Sequence, residues 1–248
     1  MPDIYAHTGD ANMRMNNESS WANARGASSA EVIDTSADKY AAAIREKANS
    51  GGTQYTIRRY FAAFDTSGIT VKPQSASLKL YGYNSTDSQI VVVKVSAGAT
   101  GDSSTDFVAA DYNNVTLTKY SAEFTSTFST SGYNTITLND DALNDMVSLD
   151  EFKIAVVGHD FDYSNSTPPN STSRATGFYT ANASGGDAGK RPLVSYVAGS
   201  SGGGSLSKKQ KRNRRRKRRT KGARSRGFAT NNMKITTSGK TVANGFED

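Results

Sequence analysis

The chain has 248 residues, no cysteine, 35% hydrophobic residues and a net charge of +7 at pH 7. That length suits one large all-β domain or two small ones, and the absence of cysteine excludes a disulfide framework, a thiolate metal site and a cysteine nucleophile. No apolar run approaches the length of a membrane span, and the opening MPDIYAHTGD has neither the basic n-region nor the apolar h-region of a secretion signal.

Taken in order, DIYAHT near the N-terminus reads as an edge strand. A polar loop follows that holds Trp21, whose size predicts partial burial. Asp38–Asn49 has the composition of a helix, with an Asp cap, an Ala-rich middle and Gly51-Gly52 past its end. Its context favours a strand, because NSGGTQ then forms a hairpin loop into Tyr55–Phe64, and a strand is expected. Tyr55–Phe64, YTIRRYFAAF, is rich in aromatic and β-branched residues and ends at the turn signal DTSG. Alternation places Tyr60, Ala62 and Phe64 on one face and Ile57, Arg59, Phe61 and Ala63 on the other. Apolar groups on both faces predict a central strand covered on each side.

Ser75–Tyr83 alternates, with Ala76, Leu78 and Leu80 inward and Lys79, Tyr81 and Tyr83 outward. In Gln89–Ser96 the expected core face is Val91, Val93 and Val95, since the other register would bury Lys94. Residues 97–132 read mostly as polar loop around an apolar island at Phe107–Ala110. Tyr133–Leu138 is a strand with Ile136 and Leu138 inward. One or two helical turns follow over Asn139–Met146, capped by Asn139 or Asp140, with Leu143 and Met146 on one side. Phe152–Val157 is a core strand, residues 159–173 a long loop with Pro168-Pro169, and Thr176–Thr180 and Leu193–Val197 the closing strands. Roughly eight or nine short strands separated by polar loops give the spacing of an antiparallel sandwich. The expected fold class is therefore all-β, an antiparallel β-sandwich followed by a flexible, highly basic C-terminal arm.

The charge is segregated. Residues 1–207 carry 15 Lys and Arg against 21 Asp and Glu, a net −6, whereas residues 208–226 carry 13 cations and no acid. The high isoelectric point belongs to the arm and not to the sandwich. The expected divisions are a sandwich over 1–198, a Gly/Ser linker over 199–207, the Lys/Arg-rich arm over 208–226 and a polar tail over 227–248.

Little in the chain suggests reaction chemistry. His7 and His159 stand in no Ser-His-Asp order, and HExxH, a P-loop and a helix-context GxGxxG are missing. No catalytic residue and no cofactor is expected. Asp160 and Asp162 in GHDFDYSN are candidate calcium ligands, but an Asp-x-Asp pair falls short of the six or more oxygens calcium takes, so a solvated acid pair is expected. Lys79, Tyr81 and Tyr83 share an outward strand face and form a candidate glycan or surface contact, against the alternative that tyrosines simply cover the sheet. The arm is the strongest local signal. Lys208, Lys209, Lys211, Arg212, Arg214, Arg215, Arg216, Lys217, Arg218, Arg219, Lys221, Arg224 and Arg226 form a polyanion-binding segment. Without aromatic residues it is suited to phosphate backbone and not to bases. A nuclear-localisation signal or a contact with acidic glycan or protein are the other readings of such a run.

Several segments together resemble the DNRLRE-type β-jelly-roll domain, a family related to carbohydrate-binding modules and common in phage and environmental viral structural proteins. They are SWANAR (20–25), IRRYFAAFDTSGI (57–69), SASLKLYGY (75–83), AADYNNV (109–115), STSGYNTITLN (129–139) and FYTANASGGDAGKRPLVSYV (178–197). The resemblance covers nearly all of residues 3–198 and has no counterpart for the arm and tail. It implies a jelly roll that binds surfaces, glycans or partner proteins, and it also favours a strand at 38–49. The expectation is a non-enzymatic virion structural or accessory protein, in capsid decoration, head or tail attachment or host-surface adhesion. Other virion proteins, nucleic acid or another polyanion, glycans and further copies of the chain are its candidate partners. The alternative is a soluble carbohydrate-binding module whose arm holds acidic polysaccharide.

Overall fold

The computed structural model describes residues 1–86 and 89–200; the rest of the linker, the basic arm and the tail lie outside the described residues. In chain order the elements are β1 (Asp3–Tyr5), β2 (Ala11–Glu18), α1 (Trp21–Gly26), β3 (Val32–Asp34), β4 (Lys39–Ala48), β5 (Tyr55–Asp65), β6 (Ser75–Thr86) and β7 (Ile90–Val95). There follow β8 (Val115–Lys119), β9 (Tyr133–Thr137), α2 (Asp140–Ser148), β10 (Glu151–Gly158), β11 (Ser173–Tyr179) and β12 (Leu193–Val197).

The described strands pair antiparallel and make a β-sandwich. β5 is the centre of the larger sheet. β2 runs along one of its edges, opposite both Arg58 and Tyr60. The other edge is therefore shared: β4 takes it up to Arg58, and β10 takes it from Tyr60 onward. From this fork β4 leads to β11, and β10 leads to β7 and β8. The smaller sheet runs β1-β12-β6-β9. β6 belongs to both sheets, since Ser75–Tyr81 pair with β12 and β9 and Gly82–Thr86 pair with β11. The crossing needs glycine at 82, where a Cβ would collide with the Ser129 carbonyl oxygen.

Two cores result, one on each face of β5. Tyr60, Ala62 and Phe64 meet Leu78, Leu80, Ile136 and Val194 of the smaller sheet in the first. Ile57, Phe61 and Ala63 lie in the second with Trp21, Phe107 and Tyr112. α1, capped by the Ser20 side chain, and a 3₁₀ turn over Ala109–Asn113 help to cover that second core.

The strand at 38–49 is borne out as β4. Its alanine-rich sequence favours helix locally, but pairing with β5 and β11 on its two edges outweighs that propensity. The helix after β9 is also borne out, with Asn139 as its cap, accepting from the Ala142 N–H at 3.1 Å, and with Leu143 and Met146 buried. The expectation of one core face for β7 is corrected. Val91, Val93 and Val95 enter the second core, while Ile90 and Val92 enter the first. Lys94 stays clear of the apolar interior by pairing its Nζ with Asp145 at 2.6 Å. The region 97–132 contains β8 as well as loop, and the long loop after β10 begins with a π-helical turn, His159–Tyr163.

The fork at β5 is closed by polar groups. Arg59 is buried on the second-core face and bonds both oxygens of Asp162, at 2.7 and 2.8 Å. Its remaining donors reach the Tyr112 carbonyl at 2.9 Å and the Arg25 carbonyl at 3.0 Å, and its guanidinium lies 4.2 Å from the Tyr112 ring centre. Glu46, buried on β4, accepts from the N–H groups of Phe161 and Asp162 at 2.9 and 2.6 Å. Burial pushes its carboxyl up to about 7; the Asp162 charge pushes the same way, and the two N–H groups pull it back. Gly158 faces Glu46 with no room for a Cβ.

A second buried carboxyl, Asp10, accepts from the Tyr60 hydroxyl and from the Ala181 N–H. Burial raises it from 3.8 to about 7, with smaller contributions from the charges of Asp34 and Asp106. The unfolded chain releases this proton near 3.8 and the native state near 7. Between those values the native state binds more protons, so stability falls as pH rises, and above about 7 the effect levels off. Compared with Asp10→Asn in urea titrations between pH 4 and 8, the wild-type protein should lose on the order of 4 kcal/mol across that window. A parallel pH profile for the two proteins would contradict this. In the first core, Phe64 is fully buried beside Phe152. Phe64→Ala should cost about 3–5 kcal/mol in the same titration, and a loss under about 1 kcal/mol would be inconsistent with the packing.

Candidate aromatic surface on the outer sheet

The face of β6 turned away from the first core carries Lys79, Tyr81 and Tyr83, as alternation requires. Register sets Tyr81 opposite Tyr133 of β9, with their rings 5.2 Å apart and nearly perpendicular. A register shift in β11 between Gly177 and Phe178 accompanies the placement of Tyr179 between the two β6 tyrosines. Its ring is 5.7 Å from that of Tyr81 and 5.9 Å from that of Tyr83. Four tyrosines thus form a continuous edge-to-face chain, the geometry that aromatic quadrupoles favour.

Cations sit over these rings. Lys190 Nζ is 4.7 Å from the Tyr179 ring centre and 5.2 Å from that of Tyr81. Asp187 holds it at 2.6 Å, and that hydrogen bond raises the Lys190 pKa. Lys39 Nζ is 4.8 Å from Tyr83 and 5.2 Å from Tyr179. Arg191 lies over Tyr5 of β1 at 4.9 Å. The Tyr133 hydroxyl donates to the carbonyls of Gly189 at 2.6 Å and Arg191 at 3.1 Å, which ties the 3₁₀ turn over Gly185–Lys190 to the sheet. Burial pushes this phenol up to about 12. Among the described residues the exposed large hydrophobic side chains are Met1, Tyr5, Tyr83 and Val108, so two of the four belong to this surface.

The structure joins Tyr81 and Tyr83 through Tyr179 but puts the positive charge elsewhere than expected. Lys79, in register with Leu193 and Thr135, lies over no ring among the described residues. Lys39 and Lys190 take that place. Sequence alternation could not identify them, because they arrive from β4 and from the turn before β12. Tyr133 was legible as a strand residue, but its partnership with Tyr81 depends on register. Chemically, the surface offers half-buried rings and two ammonium groups, a combination suited to an acidic or ring-bearing ligand.

The solvated acid pair expected at 160 and 162 is corrected. Asp162 is buried with both oxygens on Arg59 and is not available as a cation ligand. Asp160 points elsewhere, to Arg174, and has His159 Nδ1 at 3.5 Å. Glu123, His159 and Asp160 bring ligand atoms within 4.8 Å of one another, and the Arg174 guanidinium beside them already supplies positive charge. The thirteen cations from Lys208 to Arg226 lie outside the described residues. No helix among the described residues is long and apolar enough to cross a membrane.

Compared with protein-family models and with curated proteins, the chain matches none.

The tyrosine chain has a supporting part and an exposed part. Tyr179 is 7% exposed and Tyr83 43%. Tyr179→Ala should therefore cost about 3 kcal/mol or more in urea denaturation, whereas Tyr83→Ala should stay within about 1 kcal/mol of the parent. Equal losses would show that Tyr83 is structural and not free to meet a ligand.

Proposed function

We propose that the chain is a non-enzymatic structural or accessory protein of a virus particle. In this reading the sandwich makes the surface contact and the basic arm binds nucleic acid or another polyanion. The observation that carries it is the charge segregation: 13 cations in residues 208–226, against a net −6 over residues 1–207. Such a run repels itself until a polyanion neutralises it and releases that polyanion's counterions. The arginine bias adds bidentate phosphate geometry. The resemblance of residues 3–198 to DNRLRE-type jelly rolls supports the same assignment, including the jelly-roll topology.

The tyrosine–lysine surface favours a second reading, a soluble carbohydrate-binding module whose arm holds acidic polysaccharide. Co-sedimentation with particles supports the first reading, and selective retention on a glycan array in the absence of particles supports the second.

The arm is tested by nucleic acid binding over a range of salt concentrations. If about half of its cations reach phosphates, log K against log salt should fall with a slope of about −4 to −6, whatever the base sequence. Deleting residues 208–226 should abolish this binding and leave the sandwich's melting temperature unchanged. Binding that ignores salt, or that survives the deletion, would remove the arm from the nucleic acid contact.

A further inference from the structure

Three arginines stand in one row across the larger sheet. Arg14 of β2 and Arg45 of β4 are both directly opposite Arg58 of β5 in the strand register. Paired residues on neighbouring strands project from the same face about 5 Å apart, so three arginine side chains leave the sheet side by side. Like charges placed this way destabilise a sheet. All three residues are partly buried. Burial, and then the charges of Arg14 and Arg45, lower the pKa of Arg58.

Nothing in the described protein answers this charge. None of the three forms an ion pair with a carboxylate among the described residues. Their side-chain hydrogen bonds are long: Arg45 Nη2 to Ser173 Oγ and Arg58 Nη1 to the Ala42 carbonyl, each at 3.4 Å. The Nε atoms of Arg14, Arg45 and Arg58 are buried without an acceptor. Arg59, one residue along the chain, shows the contrast, because its charge is met by a bidentate carboxylate and two carbonyls.

We propose that the Arg14–Arg58–Arg45 row is a binding site for a compact oxyanion, a single sulfate or phosphate group. Guanidinium forks match tetrahedral oxyanions with paired N–H donors, and three of them can bond several oxygens at once. The next paired row adds Lys47, Thr56 and Ser173, a further cation and two hydroxyls. No aromatic residue takes part in either row, so the site reads charge and oxygen geometry and not the plane of a base or sugar. A compact group also fits better than a long polyanion, which would extend over a body with a net charge of −6 across residues 1–207. The site uses no residue of the arm or of the tyrosine surface, and it does not depend on the function proposed above.

The test uses the full chain, with thermal unfolding of the sandwich as the readout. In chloride buffer of low ionic strength, Arg58→Gln should melt above the wild-type protein, because it removes the middle charge of the row. Millimolar inorganic sulfate or phosphate should raise the wild-type melting temperature saturably, by about 2–4 °C beyond chloride of equal ionic strength. Arg58→Gln and Arg45→Gln should each lose that increment. General stabilisation by these salts acts on all the proteins alike and cancels in the comparison. A sulfated monosaccharide and a nucleoside monophosphate then separate the two ester sources, and a saturable shift with either supports the site. Three outcomes would overturn it: equal anion responses in wild type and variants, an Arg58→Gln protein that melts lower in chloride, or a shift produced only by a long oligonucleotide. Should Arg58→Gln fail to fold, Arg45→Gln carries the same comparison.

Discussion

The bond between Arg59 and Asp162 is the constraint from which the larger sheet is best understood. β5 cannot pair with β4 and β10 at the same point of one edge, so the sheet splits where one strand hands over to the other. A split exposes backbone polar groups inside the protein, and such groups need partners. The π-helical turn after β10 supplies Asp162, and β4 supplies Glu46, whose carboxylate takes two of the turn's N–H groups. Arg59 then ties that turn to α1 through the Arg25 carbonyl and to the 3₁₀ turn through the Tyr112 carbonyl. A buried ion pair with unmet hydrogen-bonding capacity is a liability. Here the arginine's donors are directed to oxygens and its planar face meets a ring, so desolvation is offset by direct bonds. The same arrangement positions the cover of the second core.

β6 has the comparable role on the other side. Its first half belongs to the smaller sheet and its second half to the larger, so one strand fixes how the two sheets meet. Because alternation continues through the crossing, Tyr81 and Tyr83 remain on one outer face while their neighbours change from β9 and β12 to β11. That change brings together tyrosines from three strands and lysines from two further places in the chain. The surface is therefore a product of the crossing, and Gly82 is the residue that permits it.

Much of this was legible in the sequence. The both-sided apolar character of Tyr55–Phe64 gave a central strand, and the inward faces at Ala76, Leu78, Leu80, Ile136 and Leu138 are all buried. What sequence reasoning missed depends on long-range pairing. Asp162 looked like a loop acid because its partner is 103 positions away. Lys94 seemed to exclude one face of β7 from a core, but a lysine with a long stem can leave an apolar face and reach a carboxylate at its margin. Lys39 and Lys190 could not be assigned to the tyrosines, since alternation describes one strand and says nothing of which strands become neighbours. The arginine row has the same origin: Arg14, Arg45 and Arg58 are unremarkable singly, and only the register makes them adjacent.

The protein thus handles its cations in distinct ways. Arg59 is buried and fully answered, and its role is architectural. Lys39, Lys190 and Arg191 rest over aromatic rings at the surface, where a ring face moderates the charge without removing it. Arg14, Arg45 and Arg58 are partly desolvated, their Nε atoms lack an acceptor, and no carboxylate among the described residues pairs with them. The last arrangement differs from the first in energy as well as in place. A sheet that can satisfy one guanidinium so thoroughly at position 59 leaves three neighbouring guanidiniums without counter-charge, at a cost to its own stability. An oxyanion bridging them would supply the same kind of contacts that Asp162 gives Arg59, and would turn a repulsive row into a bound one.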